Sequence, residues 1–133
     1  MSQSLPLSVL VVDDHPGLRT GLTLLINAEF PRLRSAGAAA NGAEALQLTR
    51  RLQPDVVLLD VQLGGEDGLA LIPLLQREAP CRVVVLTALD DARVAQRARL
   101  LGASEFTHKT APAAELMRLL LQAPREPGLI EAC

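Results

Sequence analysis

The chain contains no tryptophan and no tyrosine, and Phe30 and Phe106 are its only aromatic residues. That scarcity excludes a core built on ring packing and removes the side chains on which a flavin is usually stacked. Cysteine is almost as rare. Cys81 and Cys133 form neither a disulfide framework nor a metal-binding spacing, so a reduced, cytoplasmic setting is expected. No apolar run reaches the roughly 18 residues of a membrane span. The opening MSQSLPLSV lacks the basic region and long apolar stretch of a secretory leader. Charge of one sign is missing too: the formal net charge is −2, which argues against a nucleic-acid surface. Arg93, Arg97 and Arg99 are read as one solvated helix face.

What the chain does have is aliphatic bulk. Apolar residues make up 49% of it, so the core is expected to be built from Leu, Val, Ile and Ala, within one domain. Strand-like and helix-like segments alternate. Residues 8–12 are short, continuous and β-branched, as in a strand buried on both faces. Pro16 suits the first turn of a helix whose apolar stripe is Leu18, Leu22, Leu25 and Ile26. A weaker strand is expected over 33–38. Asn41 is a good N-cap for a second helix carrying Ala45, Leu48 and Leu52, and Pro54 closes that region. Strand 56–59 follows Asp55. A glycine-rich loop at 64–68 precedes a third helix with Leu71, Ile72 and Leu75. Pro73 conflicts with its interior, which predicts a late start or a kink. Residues 82–86 are the clearest strand. Asp90 or Asp91 caps a fourth helix with Val94, Ala98 and Leu101, which Gly102 stops. A short strand at 104–108 and a helix starting near Pro112, with Leu116, Leu119 and Leu120, complete the pattern. The stretch 123–133, rich in proline and charge, is read as a flexible tail or linker.

Strand and helix in alternation, with short connections, imply right-handed crossovers and an α/β, doubly wound parallel sheet. Ligands of such sheets lie beyond the carboxyl ends of the strands, at the switch in strand order. Four strand-like runs stop there on polar residues: SVLVV before Asp13-Asp14, DVVLL before Asp60, RVVVL before Thr87 and SEFTH before Lys109. Singly, each is compatible with a cap, a turn or a solvated charge. Jointly they bring three carboxylates, a hydroxyl and an ammonium to one rim. Clustered carboxylates cost Coulomb energy unless a cation neutralises them. Oxygen donors with no nearby Cys or His pair favour a hard ion, and Mg2+ suits carboxylates, water and a phosphate oxygen. Lys109 then serves as a point charge on a phosphoryl oxygen and Thr87 as a small donor. Asp60 is the carboxylate left to act as nucleophile and form an acyl phosphate.

The stretches VLVVDDHPGLRTGL, PDVVLLDVQLGGEDGL, VVVLTA and GASEFTHK together resemble the receiver domain of bacterial two-component response regulators, over about residues 7–122. The DDHP opening most resembles the subfamily that usually carries a C-terminal helix-turn-helix DNA-binding domain. The resemblance implies a flavodoxin-like (βα)5 fold with strand order 2-1-3-4-5, and a signalling domain rather than an enzyme. It implies Asp60 as the phosphoacceptor, served by the phosphohistidine of a sensor histidine kinase. Asp14 and Asp60 would ligate Mg2+, Asp13 would act through water, and the Gln62 main-chain carbonyl would complete the site. Thr87 and Lys109 would contact the phosphoryl oxygens, and Phe106 matches the aromatic switch position. In the family, Thr87 moves toward the phosphate and the aromatic ring turns inward. That reshapes the surface of the fourth helix, fifth strand and fifth helix, and a homodimer on phosphorylation is one expected outcome.

Departures from the family pattern carry their own expectations. Gly64 stands where many receivers have Pro, which predicts a more mobile loop after Asp60. Thr110 follows the lysine where many have Pro, often cis, so an ordinary trans bond is expected. Leu89 occupies a position that tunes phosphate lifetime in the family, and its apolar bulk predicts slow dephosphorylation. His15 and His108 lack ligand spacing and are expected to be ordinary side chains. A phosphoaspartate hydrolase would need a second Asp where Gln62 stands, and a flavin binder is disfavoured by the missing rings and the absent GxGxxG turn. The remaining rival is a degenerate receiver working as a phosphorylation-independent interaction module, against which the intact acidic set argues. Residues 123–133 are too few for a helix-turn-helix unit. A stand-alone receiver and an excerpt of a longer transcription factor therefore both stay open, and the output partner is unknown.

Overall fold

The computed structural model describes residues 6–89 and 91–122. Its parallel sheet consists of β1 (Leu7–Val12), β2 (Leu33–Ala39), β3 (Val56–Asp60), β4 (Arg82–Thr87) and β5 (Glu105–His108), in the order β2-β1-β3-β4-β5. Helices α1 (Pro16–Ala28), α2 (Gly42–Leu52), α3 (Leu71–Glu78), α4 (Ala92–Leu101) and α5 (Ala113–Leu121) follow the strands in turn. This is the flavodoxin-like arrangement. The chain leaves β1 for β2 on one side and returns to β3 on the other, so the switch in strand order lies between β1 and β3.

Alternation along the strands sends side chains to two cores. Val9, Val11, Val56, Leu58, Val84 and Leu86 pack with Leu22 and Ile26 of α1 and Leu116, Met117 and Leu120 of α5. Leu10, Val12, Val57, Leu59, Val83 and Val85 meet Ala45 of α2, Ile72 and Leu75 of α3 and Ala98 of α4. Each fully buried Leu, Val or Ile contributes about 1.5–3 kcal/mol against exposure, and repeated over two faces this stabilises the sheet. Neither phenylalanine ring is fully buried: Phe30 is exposed and Phe106 is half-buried.

The helix ends follow local chemistry. Pro16 opens α1, and the Asn41 side chain accepts from the Glu44 N–H at 2.9 Å while Glu44 Oε1 accepts from the Ala40 N–H. Gln53, at φ 48°, closes α2, and its side-chain amide donates to the carbonyls of Thr49, Arg50 and Glu78. Pro73 falls in the first turn of α3, where no backbone donor is needed, so the late start holds. Asp91 caps α4 by accepting from the Arg93 N–H, whereas Asp90 lies outside the described residues, as do 123–133. Gly102, at φ 116°, ends α4.

Some expectations need adjustment. Leu25 is 41% exposed and does not belong to the α1 stripe. Leu18, Leu22 and Ile26 repeat one turn apart, while Leu25 lies about 100° round the helix from Ile26. Strands β3 and β4 run one residue further than expected because Asp60 pairs in register with Leu86 and Thr87 with His108. The glycine-rich loop contains a hairpin, Gln62–Leu63 against Glu66–Asp67, turned by Gly64 and Gly65, both at positive φ. A short 3-10 turn, Gly68–Ala70, follows it, capped by Asp67. Among the described residues the one cis peptide is Phe30–Pro31, so the Lys109–Thr110 bond is trans.

Candidate functional site

The ends of β1, β3 and β5 build the site. The Asp13 N–H donates to the Ala39 carbonyl at 3.0 Å, which carries the β1–β2 ladder one residue past Val12 and leaves the Asp13 side chain 1% exposed. Asp13 Oδ1 accepts the His15 N–H at 2.8 Å, and the Arg19 guanidinium donates to the Asp13 carbonyl, which turns the chain into α1. Asp60 is the last residue of β3 and equally buried; its Oδ1 accepts the Gln62 N–H at 3.1 Å. Across the rim, the Lys109 N–H donates to the Thr87 carbonyl at 2.7 Å, one residue past β5. The Lys109 Nζ then donates to Asp60 Oδ2 at 3.0 Å and stands 3.8 Å from Asp13 Oδ2. Lys109 is the only lysine in the chain, where arginine supplies every other basic side chain except histidine.

Burial pushes the Asp60 carboxyl above its ordinary pKa, the hydrogen bonds from Lys109 and Gln62 pull it down, and the neighbouring Asp13 charge adds to the rise. Two other oxygens, Asp13 Oδ2 and Asp14 Oδ1, are buried without a well-aligned hydrogen bond, although Lys109 Nζ stands 3.8 Å from the first and His15 Nδ1 3.0 Å from the second. Buried anionic oxygens left in that state are costly unless a cation meets them. Ligand atoms of Asp13, Asp14, His15 and Asp60 all lie within 4.8 Å of one another. One ammonium cannot neutralise three carboxylates, so the donor set fits a divalent cation.

His15 is the residue that sequence reasoning set aside. Its Nδ1 lies 3.0 Å from Asp13 Oδ1 and 3.0 Å from Asp14 Oδ1. The available signal was its adjacency to the acidic pair at the cap of α1, where the turn directs the ring back onto the carboxylates. His108 stays apart, bonded to Thr110 Oγ1 and the Ala88 carbonyl. Thr87 is buried at the end of β4, and its hydroxyl accepts the Leu89 N–H at 2.9 Å. Phe106 pairs in register with Val85 and packs against the core shared with α2, α3 and α4. Gly64 has φ 51°, and a Cβ there would lie 3.2 Å from Asp14 Oδ2. A proline, held near φ −65°, has no access to that conformation.

Fold and rim define an α/β domain with an acidic, cation-seeking crevice at its switch point. The response regulator receiver domain model matches residues 9–121, and the chain belongs to that family of two-component signalling domains. It is 38% identical over 117 residues to response regulator GacA of Pseudomonas aeruginosa, which covers 87% of this chain and 54% of GacA. The response regulator domain of Thermotoga maritima CheB is similar at TM-score 0.80 and 29% identity, covering 88% of this chain and 95% of that one. A Burkholderia pseudomallei response regulator, solved with a phosphorylated aspartic acid, calcium ion and citrate, is similar at TM-score 0.78 and 26% identity, covering 95% and 71%. The chain spans about half or less of the length of the curated relatives it matches. Receiver domains are phosphorylated by histidine kinases. No helix among the described residues is long and apolar enough to cross a membrane.

Proposed function

We propose that this chain accepts a phosphoryl group on Asp60 from the phosphohistidine of a sensor histidine kinase, and so switches the surface of α4, β5 and α5. The observation that carries this is the placement of Asp60 at the end of β3, with Oδ2 on the Lys109 ammonium at 3.0 Å beside Asp13. An Asp60 oxygen attacks phosphorus, the bond from phosphorus to the imidazole nitrogen breaks, and the electron pair leaves with the histidine. Lys109 meets the charge growing on one phosphoryl oxygen, and the Thr87 hydroxyl leaves the Leu89 N–H to donate to another. Asp13, Asp14, Asp60 and the Gln62 carbonyl would hold Mg2+, Asp13 through water. When bound, that ion offsets the negative charge shared by carboxylates and phosphoryl group. The two buried carboxylate oxygens without a hydrogen bond support an ion here, and the Burkholderia pseudomallei relative carries both a phosphorylated aspartate and a calcium ion.

Phe106 follows Thr87 as the aromatic switch, and Leu89 shields the acyl phosphate from water. Residues 7–122 form the receiver unit and 123–133 a tail or linker, with the kinase and an output partner as cytoplasmic companions. Incubation with Mg2+ and acetyl phosphate tests the reading: the intact mass rises by one phosphoryl group in the native protein and not in Asp60→Asn. An unchanged native mass would instead leave a phosphorylation-independent interaction module.

A further inference from the structure

His15 has no assigned part in this chemistry, yet the partners of its ring nitrogen are the site's own carboxylates. We propose that His15 is a ligand of the divalent cation through Nδ1, so that the site prefers a first-row transition ion such as Mn2+ to Mg2+. The proposal rests on reading the acidic cluster as an ion site.

The distances are those of groups able to meet one ion. Ligands about 2.1 Å from a six-coordinate ion stand about 3.0 Å apart when adjacent and about 4.2 Å apart when opposite. His15 Nδ1 is 3.0 Å from Asp13 Oδ1, 3.0 Å from Asp14 Oδ1 and 4.0 Å from Asp60 Oδ2. The ring therefore stands within reach of an ion held by Asp14 and Asp60, the two carboxylates that would ligate it directly, and beside Asp13, which would act through water. A second observation points to a cation independently of the histidine: Asp13, 1% exposed, has an Oδ2 with no hydrogen bond, and its nearest positive charge, the Lys109 ammonium, stops 3.8 Å away. The backbone holds the ring in place, because the His15 N–H donates to Asp13 Oδ1 and Pro16 begins α1 immediately afterwards.

Donor type sets the ion preference. Mg2+ seeks oxygen and retains water, whereas an imidazole nitrogen raises affinity along the transition series. With an ion present, the Nε2–H tautomer would leave the Nδ1 lone pair free to meet it, in place of the hydrogen bond to Asp13 Oδ1.

Calorimetric titration of the full chain with Mn2+ and with Mg2+, in the native protein and in His15→Gln, tests this. The variant is expected to lose about tenfold or more in Mn2+ affinity and distinctly less in Mg2+ affinity, so that the ratio of the two falls. Spin-echo spectra of the Mn2+ complex should show nitrogen hyperfine modulation from a bound imidazole in the native protein, a readout that needs no variant to fold. Absence of that modulation, or equal losses for both ions, overturns the proposal. Mg2+ binding and Asp60 phosphorylation without the nitrogen signal remove the His15 role alone. A native chain that binds neither ion defeats the ion-site reading as well.

Discussion

Lys109 and Asp60, the pair at the centre of the proposed function, are also a liability for stability. Removing one partner of a buried charge pair strands the other, at about 3–5 kcal/mol in fully buried cases. Lys109 keeps some exposure, so Lys109→Ala should lower the stability of the ion-free protein by about 3 kcal/mol, at the low end of that range, read as a shift in urea midpoint. Asp60 also sets a pH dependence. Its folded pKa is raised, mainly by burial, so the native state holds that proton more tightly than the unfolded chain does. Its contribution to stability is therefore present below about pH 4 and is lost as pH climbs through the raised folded value. The stability of the ion-free native protein, minus that of Asp60→Asn, should fall as pH rises across this window. A difference that grows with pH would contradict the assignment. Leu89 gives a kinetic counterpart: it is 37% exposed, two residues beyond Thr87, and Leu89→Asn should shorten the lifetime of the phosphorylated state. An unchanged rate of phosphate loss would remove its shielding role.

The segment between β3 and α3 is where element geometry constrains the site most tightly. The Gly68 N–H donates to the Val61 carbonyl at 2.8 Å, and a Cβ on Gly68 would stand 2.3 Å from the Asp60 carbonyl and 2.6 Å from that of Val61. Backbone atoms cannot yield as a flexible side chain can. Gly68→Ala should therefore cost about 1–3 kcal/mol in urea unfolding and also displace the end of β3 that carries Asp60, weakening phosphorylation by acetyl phosphate. Glu66 accepts the Gly42 N–H at the start of α2, and Asp67 pairs with both terminal nitrogens of Arg97 on α4. The hairpin is thus tied to both neighbouring helices. Arg97 was read as a solvated arginine because one sequence position says nothing about a partner thirty residues away. The Arg97 guanidinium holds the Asp67 carboxyl below its ordinary pKa, so this tie is present above about pH 4 and is lost as pH falls through the lowered value. The pair is half-exposed, and its effect on global stability should be small. Hydrogen exchange at the hairpin amides, faster in Arg97→Ala, is the sensitive measurement.

For the molecule as a whole, the proposed ion site would link ion binding to folding. A ligand that binds only the folded chain stabilises it by about 2.7 kcal/mol at a hundredfold excess over its Kd. Mg2+ should therefore raise the melting temperature of the native protein, a chelator should reverse the shift, and Asp60→Asn should blunt it. Phosphorylation is expected to increase the mass in solution, read by light scattering, where the reshaped α4, β5 and α5 surface promotes a homodimer. Tryptophan fluorescence offers no report on either event, since the chain has no tryptophan.

The sequence by itself determined the succession of the five sheet strands and five helices along the chain and the rim on which the polar residues fall. A parallel strand buried on both faces must be continuously apolar, so the first Asp or Thr after such a run marks its end in plain text. It also determined an aliphatic core, since nothing else was available to fill one. Only the tertiary structure decided which atoms meet. That His15 Nδ1 reaches two carboxylates, that Asp13 Oδ2 has no donor, that Gly64 sits at positive φ and that Leu25 faces solvent all depend on side-chain direction and on segments distant in sequence. Strand order and register set those distances, and no periodicity within a single segment encodes them.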